Sequence, residues 1–346
     1  MSELKRGRIL VTGGTGYIGA HTVVELQNNG YEVVIMDNLS NSNVRILDQI
    51  KTITGIKPAF VKLDLRDKAA ISEFLKTNTD ITGVIHFAAS KSVSESVKNP
   101  LLYYDNNLSS LVNLLTALEG KAVNFVFSSS CTVYGEPDEL PVSEQAPVKK
   151  AESPYGNTKQ IGEEILKDAT NAGTDLNVIA LRYFNPVGAH PTALIGELPN
   201  GVPQNLVPFI TQTAIGKRET LTVFGDNFDT PDGSCIRDFI HVVDLARAHV
   251  AAIKRMEAKQ MVAAYEVFNV GTGIGYSVLE LIHTFEKITG LPLHYRIGLP
   301  REGDIVKIWG DVHLAERELN WKAENDLTSM LASAWAWENY VHNNPF

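Results

Sequence analysis

The chain has 346 residues, of which 44% are hydrophobic and 21% charged, and its formal net charge at pH 7 is −9. That length buries a full core and accommodates one large or two moderate domains, and this balance of apolar and charged residues excludes a disordered polypeptide. The acidic surplus argues against a general nucleic-acid surface, which needs a basic stripe to neutralise phosphates, while leaving room for a small anionic ligand held by a few gathered arginines. With only two cysteines, Cys131 and Cys235, no disulfide framework is expected and a reducing, cytoplasmic setting is. No apolar run reaches the ~18 residues that span a bilayer, so no membrane partner is expected. Residues 1–7 run into a glycine loop and not into an export segment.

In chain order, Arg8-Ile9-Leu10-Val11-Thr12 reads as a buried strand, followed without a gap by Gly13-Gly14-Thr15-Gly16-Tyr17-Ile18-Gly19. Beyond the loop, Val23, Val24 and Leu26 recur at helical spacing until Gly30, so the unit is strand, glycine loop, helix. Glycines at 13, 16 and 19 suit a backbone that must approach a pyrophosphate closely, with the helix N-terminus aimed at its charge. A second strand over 31–36 ends in Asp37-Asn38. A carboxylate there accepts from adenosine ribose hydroxyls and repels a 2′-phosphate, which favours NAD over NADP. Strands over 59–63 and 83–87 end in Asp64-Leu65 and in Ala88-Ala89. Ligands of open parallel sheets lie beyond strand carboxyl ends, so Asp64 is placed for the adenine edge and the two alanines for close cofactor approach. His86 reads as a core histidine. Residues 100–120 read as one long helix with Leu111, Leu114, Leu115 and Leu118 on one side, and 123–127 as a fifth strand leading into Ser128-Ser129-Ser130.

This alternation predicts an α/β fold. A Rossmann-type doubly wound parallel sheet is expected over 1–187, with later returns near 235–275, and a smaller C-terminal substrate-binding α/β domain over 188–346.

The next stretch, Ser153-Pro154-Tyr155-Gly156-Asn157-Thr158-Lys159, carries the chemistry. Pro154 suits the first turn of a helix, where its missing N–H has no partner. Residues at i and i+4 then share a face, which stacks the Tyr155 phenol and the Lys159 ammonium. To act as a base near pH 7, a phenol must fall ~3 units from its free value near ~10, or about 4 kcal/mol. Lys159 is expected to supply part of that shift.

From residue 188 the chain turns to loops rich in proline and glycine, the usual means of fitting a scaffold to a ligand, and a helix is expected over 208–216. The acidic loop 226–233 lacks the ordered spacing and terminal glutamate of a calcium loop, so no metal is expected. Residues 268–277 read as a strand turning into a helix that begins near Ser277. Segments 311–319 and 328–340 read as closing helices, with Trp335 and Trp337 packed in them.

The glycine loop, Asp37, the serine run ending at Ser130, and Tyr155 with Lys159 together resemble the extended short-chain dehydrogenase/reductases. The resemblance is sharpened by Tyr103-Tyr104-Asp105-Asn106-Asn107, by Leu181-Arg182-Tyr183-Phe184-Asn185-Pro186-Val187-Gly188, by Arg237-Asp238-Phe239-Ile240-His241 and by Arg301-Glu302-Gly303-Asp304. It implies a UDP-sugar 4-epimerisation with bound NAD, interconverting UDP-glucose and UDP-galactose in galactose metabolism. Tyr155 as phenolate would take the 4-hydroxyl proton while hydride leaves C4, and the transient 4-keto sugar would turn over and be reduced on its other face. Ser130 would hydrogen-bond the reacting oxygen, and Lys159 would hold the nicotinamide ribose.

The resemblance adds Tyr17, Ile18, Asn38, Leu65, Phe87, Lys91, Asn106, Ser128, Tyr183 and Phe184 to the cofactor site. It places Asn185, Asn205, Leu206 and Phe224 on the nucleotide-sugar, Arg237 and Arg301 on its diphosphate, Asp304 on the uridine ribose, and Ile308 at the sugar pocket, where its bulk bears on N-acetylated sugars. Related dehydratases carry an Asp-Glu pair where this chain has Cys131-Thr132, and sugar-acid decarboxylases carry a glutamate at the Thr132 position; neither acid is here, which favours simple epimerisation. A homodimer through helices near 100–118 and 153–171 is likewise implied. Alternative readings are a UDP-sugar 4-epimerase preferring N-acetylated sugars or pentoses, an enzyme with net redox or dehydration chemistry, and a non-catalytic dinucleotide sensor.

Overall fold

The computed structural model describes residues 7–301 and 305–345. The first half runs β1 (Arg8–Thr12), α1 (Tyr17–Asn28), β2 (Glu32–Asp37), α2 (Ile46–Thr54), β3 (Ala59–Lys62), α3 (Lys68–Thr77), β4 (Ile81–His86), α4 (Val93–Lys98) and α5 (Pro100–Tyr104). A π-helical turn (Asp105–Ser109) leads into α6 (Ser110–Leu118), followed by β5 (Val123–Ser128), a 3-10 turn (Cys131–Tyr134), α7 (Pro154–Asn171) and β6 (Leu176–Tyr183). There follow β7 (Asn185–Val187), α8 (Leu206–Ala214), β8 (Leu221–Phe224), β9 (Ile236–His241), α9 (Val242–Glu257) and β10 (Tyr265–Val270). The chain closes with β11 (Gly275–Ser277), α10 (Val278–Thr289), β12 (Tyr295–Gly298), β13 (Lys307–Ile308), α11 (His313–Glu318) and α12 (Leu327–Asn343).

Seven strands form a parallel sheet in the order β10-β6-β5-β4-β1-β2-β3. Successive side chains of a strand point to opposite faces, and a sheet covered on both sides needs apolar residues at every position. These strands meet that need. Ile9, Val11, Val33, Ile35, Ile85, Val126 and Ile179 bury one face together with residues of α1, α2 and α9. Leu10, Val34, Met36, Val84, Phe125, Phe127 and Val178 bury the other with α3, α6 and α7. The order reverses between β1 and β4, which opens the crevice where doubly wound sheets bind ligands. The five strands expected in the first half are β1 to β5, the strand expected from residue 268 is the end of β10, and the sheet gains β6.

A third cluster packs α8, α10 and α12 around Ile210, Leu281, Phe285 and Met330, beside the short strands β7, β9, β11 and β13 and the pair β12-β8. The expected long helix over 100–120 is present but holds the π-helical turn, a wider turn that swings Asn106 and Asn107 relative to a regular helix.

Candidate active site

The glycine loop is built from backbone packed on backbone. Gly13 sits at φ +70°, and a Cβ there would lie 2.8 Å from the Ala88 N after β4. A Cβ on Gly19 would run into the Gly13 carbonyl and lie 2.8 Å from the Gly14 Cα. Helix α1 opens at Gly16 with no side-chain cap and no acidic residue in its first turn, so its positive end is left for an anion. The Asp37 carboxylate, at the end of β2, accepts from Thr15 N at 3.2 Å and from Leu39 N at 2.8 Å, bracing the loop. Asn38 donates to Asp64 at 3.1 Å. Arg66 grips the same carboxylate at 2.8 Å and holds it well below the usual carboxylate range. Leu65 is buried, while Phe87 is half-buried with its ring 4.6 Å from that of His249. Asp37, Asn38, Asp64, Leu65, Phe87, Ala88 and Ala89 thus line the carboxyl ends of three strands of the sheet.

Asn106 donates to the Ser90 hydroxyl at 3.2 Å, and Asn107 ties the same segment to α7 by donating to Ser90 O and to the Thr158 hydroxyl, both at 3.0 Å. Lys91 and Asn205 meet on one carboxylate, that of Glu197, at 2.9 and 2.6 Å. Above them the Tyr17 hydroxyl donates to Gly188 O at 2.6 Å. Residues expected on the cofactor side and the substrate side therefore adjoin across this ion pair.

Ser153 caps α7, Pro154 takes its first position, and Tyr155 and Lys159 follow on the buried face. The Lys159 Nζ donates to Ser128 O at 2.6 Å and lies 5.9 Å from the centre of the Tyr155 ring. Ser128 shares a 2.7 Å hydrogen bond with the Tyr183 hydroxyl. The Ser130 hydroxyl accepts from Thr132 N at 3.2 Å and faces the phenol.

Burial pushes the Tyr155 phenol well above its ordinary value of 10.0, with the neighbouring Tyr183 adding to the rise and Ser130 opposing it. Burial pulls Lys159 down to about 8. Burial thus outweighs whatever lowering Lys159 gives the phenol, since its ammonium is aimed at the Ser128 carbonyl. His86 is a core histidine as expected: it shares a 2.8 Å hydrogen bond with the Thr12 hydroxyl and is pushed down to about 3 by burial.

Phe184, expected at the cofactor, is buried; on the substrate side Asn185 opens β7 and Leu206 opens α8. Ile308, 2% exposed, packs with Cys131, Val133, Tyr134 and Phe184, and burial pushes the Cys131 thiol up to about 12. The Arg237 guanidinium donates to Ile236 O at 2.8 Å and Val306 O at 3.3 Å. Arg301 lies 3.7 Å over the centre of the Phe224 ring, so the ring expected to receive a base carries a guanidinium on one face. Asp304 lies outside the described residues.

Three positions escaped the sequence reading. Asn107 neighbours an expected residue, Glu163 lies one turn beyond Lys159 with the same spacing as Tyr155 to Lys159, and Arg182 sits inside a quoted motif. The spacing could have singled out Glu163; nothing local could have paired it with Arg182.

The residues present fit a nicotinamide dinucleotide: a loop whose Gly13 and Gly19 leave no room for a Cβ, an uncapped helix start and an acidic strand end stand in the order its pyrophosphate and ribose require. Among the described residues no group of His, Cys, Asp and Glu could hold a metal ion, and no helix is long and apolar enough to cross a membrane.

A parallel sheet with this glycine loop and a paired tyrosine and lysine beside it defines a class of nucleotide-dependent enzymes, and the chain belongs to the NAD dependent epimerase/dehydratase family, whose model matches residues 9–271. Over 332 residues it is 49% identical to the UDP-glucose 4-epimerase of Bacillus subtilis, the match covering 96% of each chain. It is 46% identical over 340 residues to that of Caenorhabditis elegans, covering 95% of this chain and 97% of the relative. Its backbone matches the crystal structure of UDP-glucose 4-epimerase from Stenotrophomonas maltophila with bound NAD and formylated UDP-arabinopyranose at a TM-score of 0.94 and 47% identity, covering 98% of this chain and 99% of that one. The Bifidobacterium longum enzyme, in complex with NAD+ and UDP, matches at 0.92 and 45% identity, with the same coverage.

Proposed function

We propose that the protein is a UDP-glucose 4-epimerase that interconverts UDP-galactose and UDP-glucose in galactose metabolism through a transient 4-keto sugar. The observation that carries this reading is the buried meeting of Tyr155, Lys159 and Ser130 at the strand ends next to the glycine loop, in a chain whose relatives share nearly its full length. Bound NAD would supply the acceptor and later the donor of the C4 hydrogen, and a positive charge that favours the phenolate.

The chain's own residues handle the proton. Tyr155, as the phenolate, takes the proton of the sugar 4-hydroxyl, becoming the phenol, and returns it after the ketone has turned over, so the sugar leaves with no net oxidation. Ser130 hydrogen-bonds the same oxygen and aligns it with the phenol. Lys159, anchored on Ser128 O, keeps its remaining N–H groups for the nicotinamide ribose. Gly13, Gly16, Gly19, Asp37 and Asp64, in the dinucleotide-binding part expected over 1–187 with returns near 235–275, would hold the cofactor's phosphates, ribose and adenine. The nucleotide-sugar lies against 188–346, with Arg237 and Arg301 on its diphosphate, where planar guanidinium groups grip phosphate oxygens. Ile308, behind Cys131 and Phe184, limits the space beside the sugar and orders turnover as plain UDP-hexoses before N-acetylated ones.

The enzyme acts as a homodimer in the cytoplasm. The interface is placed on the helices near 100–118 and 153–171; Leu101, Leu102 and Val112, 80%, 45% and 43% exposed on α5 and α6, are an apolar surface that a partner would cover.

Purified protein incubated with UDP-galactose and no added cofactor is expected to form UDP-glucose, read by chromatography of the nucleotide-sugars. Light scattering of the same sample is expected to give twice the 38.0 kDa chain mass. No UDP-glucose even with NAD supplied, or stoichiometric release of reduced cofactor, would overturn the reading.

A further inference from the structure

Tyr155, Lys159 and Glu163 follow one another at intervals of one turn on α7 and are 7%, 5% and 7% exposed. A buried carboxylate is costly to desolvate, and an apolar residue of the same volume often serves stability as well, so its presence calls for a use. The two Glu163 oxygens are fully engaged. One accepts from the Ser129 hydroxyl at 2.5 Å and from Arg182 Nε at 2.9 Å, the other from Arg182 Nη2 at 2.6 Å. Arg182 is itself seated with its guanidinium 4.8 Å from the centre of the Tyr134 ring, whose hydroxyl donates to Asn269 on β10 at 2.6 Å.

Ser129 is the link that matters. Strand β5 ends at Ser128 and the 3-10 turn begins at Cys131, so Ser129 and Ser130 belong to neither element. The Ser129 N–H does not join a ladder but bends back to Phe127 O at 3.0 Å. Its side chain is therefore what ties this short connection to α7. On one side of it lies the Ser128 carbonyl that receives Lys159, and on the other the Ser130 hydroxyl that faces the phenol.

We propose that Glu163 is a positioning residue for the epimerisation, holding Ser129, and through it the Ser128 carbonyl and the Ser130 hydroxyl, in register with Lys159 and Tyr155. The proposal rests on the reading of the protein as an epimerase and adds to it a brace that touches neither sugar nor cofactor.

The brace also sets charge. Lys159 faces Tyr155 and Glu163 on its own helix and His86 from β4. Glu163 faces Arg182 from β6, Tyr134 from the 3-10 turn and Tyr265 from β10. His86 stays neutral, so the Glu163 carboxylate is the group that holds the Lys159 proton against desolvation.

Two variants test this. Ser129→Ala removes one hydroxyl and leaves both buried charges paired; its kcat is expected to fall about tenfold or more with KM for UDP-galactose within about twofold. In Glu163→Gln/Arg182→Met, which leaves no unpaired buried charge, the Lys159 13Cε titration midpoint of the ligand-free protein is expected to move below its value in the unmodified chain. A merely structural role predicts lowered thermal midpoints with kcat of Ser129→Ala within about twofold of the parent and the Lys159 midpoint unmoved, and that result would overturn the proposal. Should the double variant fail to fold, the Ser129→Ala kinetics decide alone. Because the lysine titration needs no UDP-sugar, it also judges the brace separately if the unmodified protein turns over no UDP-galactose.

Discussion

Burial drives Tyr155 and Lys159 in opposite directions, the phenol up and the ammonium down to about 8, so near neutral pH Lys159 keeps its proton while the phenol is held far from the phenolate it must become. An opposite charge within a few ångströms is what lowers an acid buried this way, and Lys159 spends its closest hydrogen bond on Ser128 O. In the proposed reaction the positive charge of the oxidised cofactor adds to Lys159 and Ser130 in bringing the phenol into range. In ultraviolet difference titrations of the parent against Tyr155→Phe, we expect no Tyr155 ionisation below pH ~10 in protein stripped of NAD, and ionisation at clearly lower pH once NAD is restored. Equal midpoints in the two forms would contradict this account. For the same reason Tyr155→Phe is expected to lower kcat by about 10²–10⁴-fold with little change in KM, measured by UDP-glucose formation, since general-base assistance at the 4-hydroxyl is lost. Tyr155 and Lys159 were legible as a pair because one-turn spacing on a helix is a local rule. Glu163 obeys the same rule, but its partners Ser129 and Arg182 come from a strand end and a strand that only the folded sheet brings to α7.

Among the elements, the glycine loop was readable for the reason that makes it testable: side-chain volume is excluded there. A Cβ at Gly16 would meet only the Gly13 carbonyl, at 3.2 Å, while one at Gly19 is blocked by backbone on two sides. Gly16→Ala is accordingly expected to keep the fold of the ligand-free protein, with a stability change within about 1 kcal/mol, while the added methyl group crowds a bound pyrophosphate. Gly19→Ala is expected to cost about 1–3 kcal/mol by overpacking and to lose the dinucleotide as well. Urea unfolding of stripped protein and the absorbance of co-purified nucleotide separate the two effects; equal destabilisation by both substitutions would show that the loop packs differently. Elements with longer apolar patterns, β1 to β5 and α1, were equally open to reading, and α7 was announced by Pro154 at its start. The π-helical turn was not, because Leu111, Leu114 and Leu115 resume a helical period after it and hide the extra residue. Strands β7, β11 and β13 are two or three residues long, too short for an alternation to register, so the layout around Arg237 and Ile308 emerges only in the fold. The Arg301 stack on Phe224 joins segments far apart in sequence and had no local signal.

At the scale of the whole molecule, the burial that shapes the site also makes the protein sensitive to acid. His21 and His86 are pushed down to about 3 and His241 and His249 to about 4, all mainly by burial, from an ordinary value of 6.5. Each group is neutral when folded and takes up a proton when unfolded, so its stabilising contribution is complete above pH 6.5 and is lost as pH falls toward its folded value. Carboxylates oppose this: burial lifts Asp238 to about 6 and raises Glu25 and Glu144, so these groups hold protons more readily folded than unfolded over the same range. The histidines outnumber them, which leaves roughly two protons taken up on unfolding near pH 5, a slope of about 3 kcal/mol per pH unit. Urea-unfolding free energies of the ligand-free protein at pH 7, 6 and 5 are therefore expected to fall steeply over the second interval. His249, whose Nδ1 is bonded to Leu245 O at 2.8 Å and whose Nε2 has no hydrogen-bond partner among the described residues, cannot accommodate a second proton without burying an unsatisfied N–H. His249→Asn removes that group and should flatten the slope by about one proton. Stability that stays level or rises from pH 6 to pH 5 would mean that these rings are hydrated in solution and that the sheet packs more loosely against α9 than its buried face indicates.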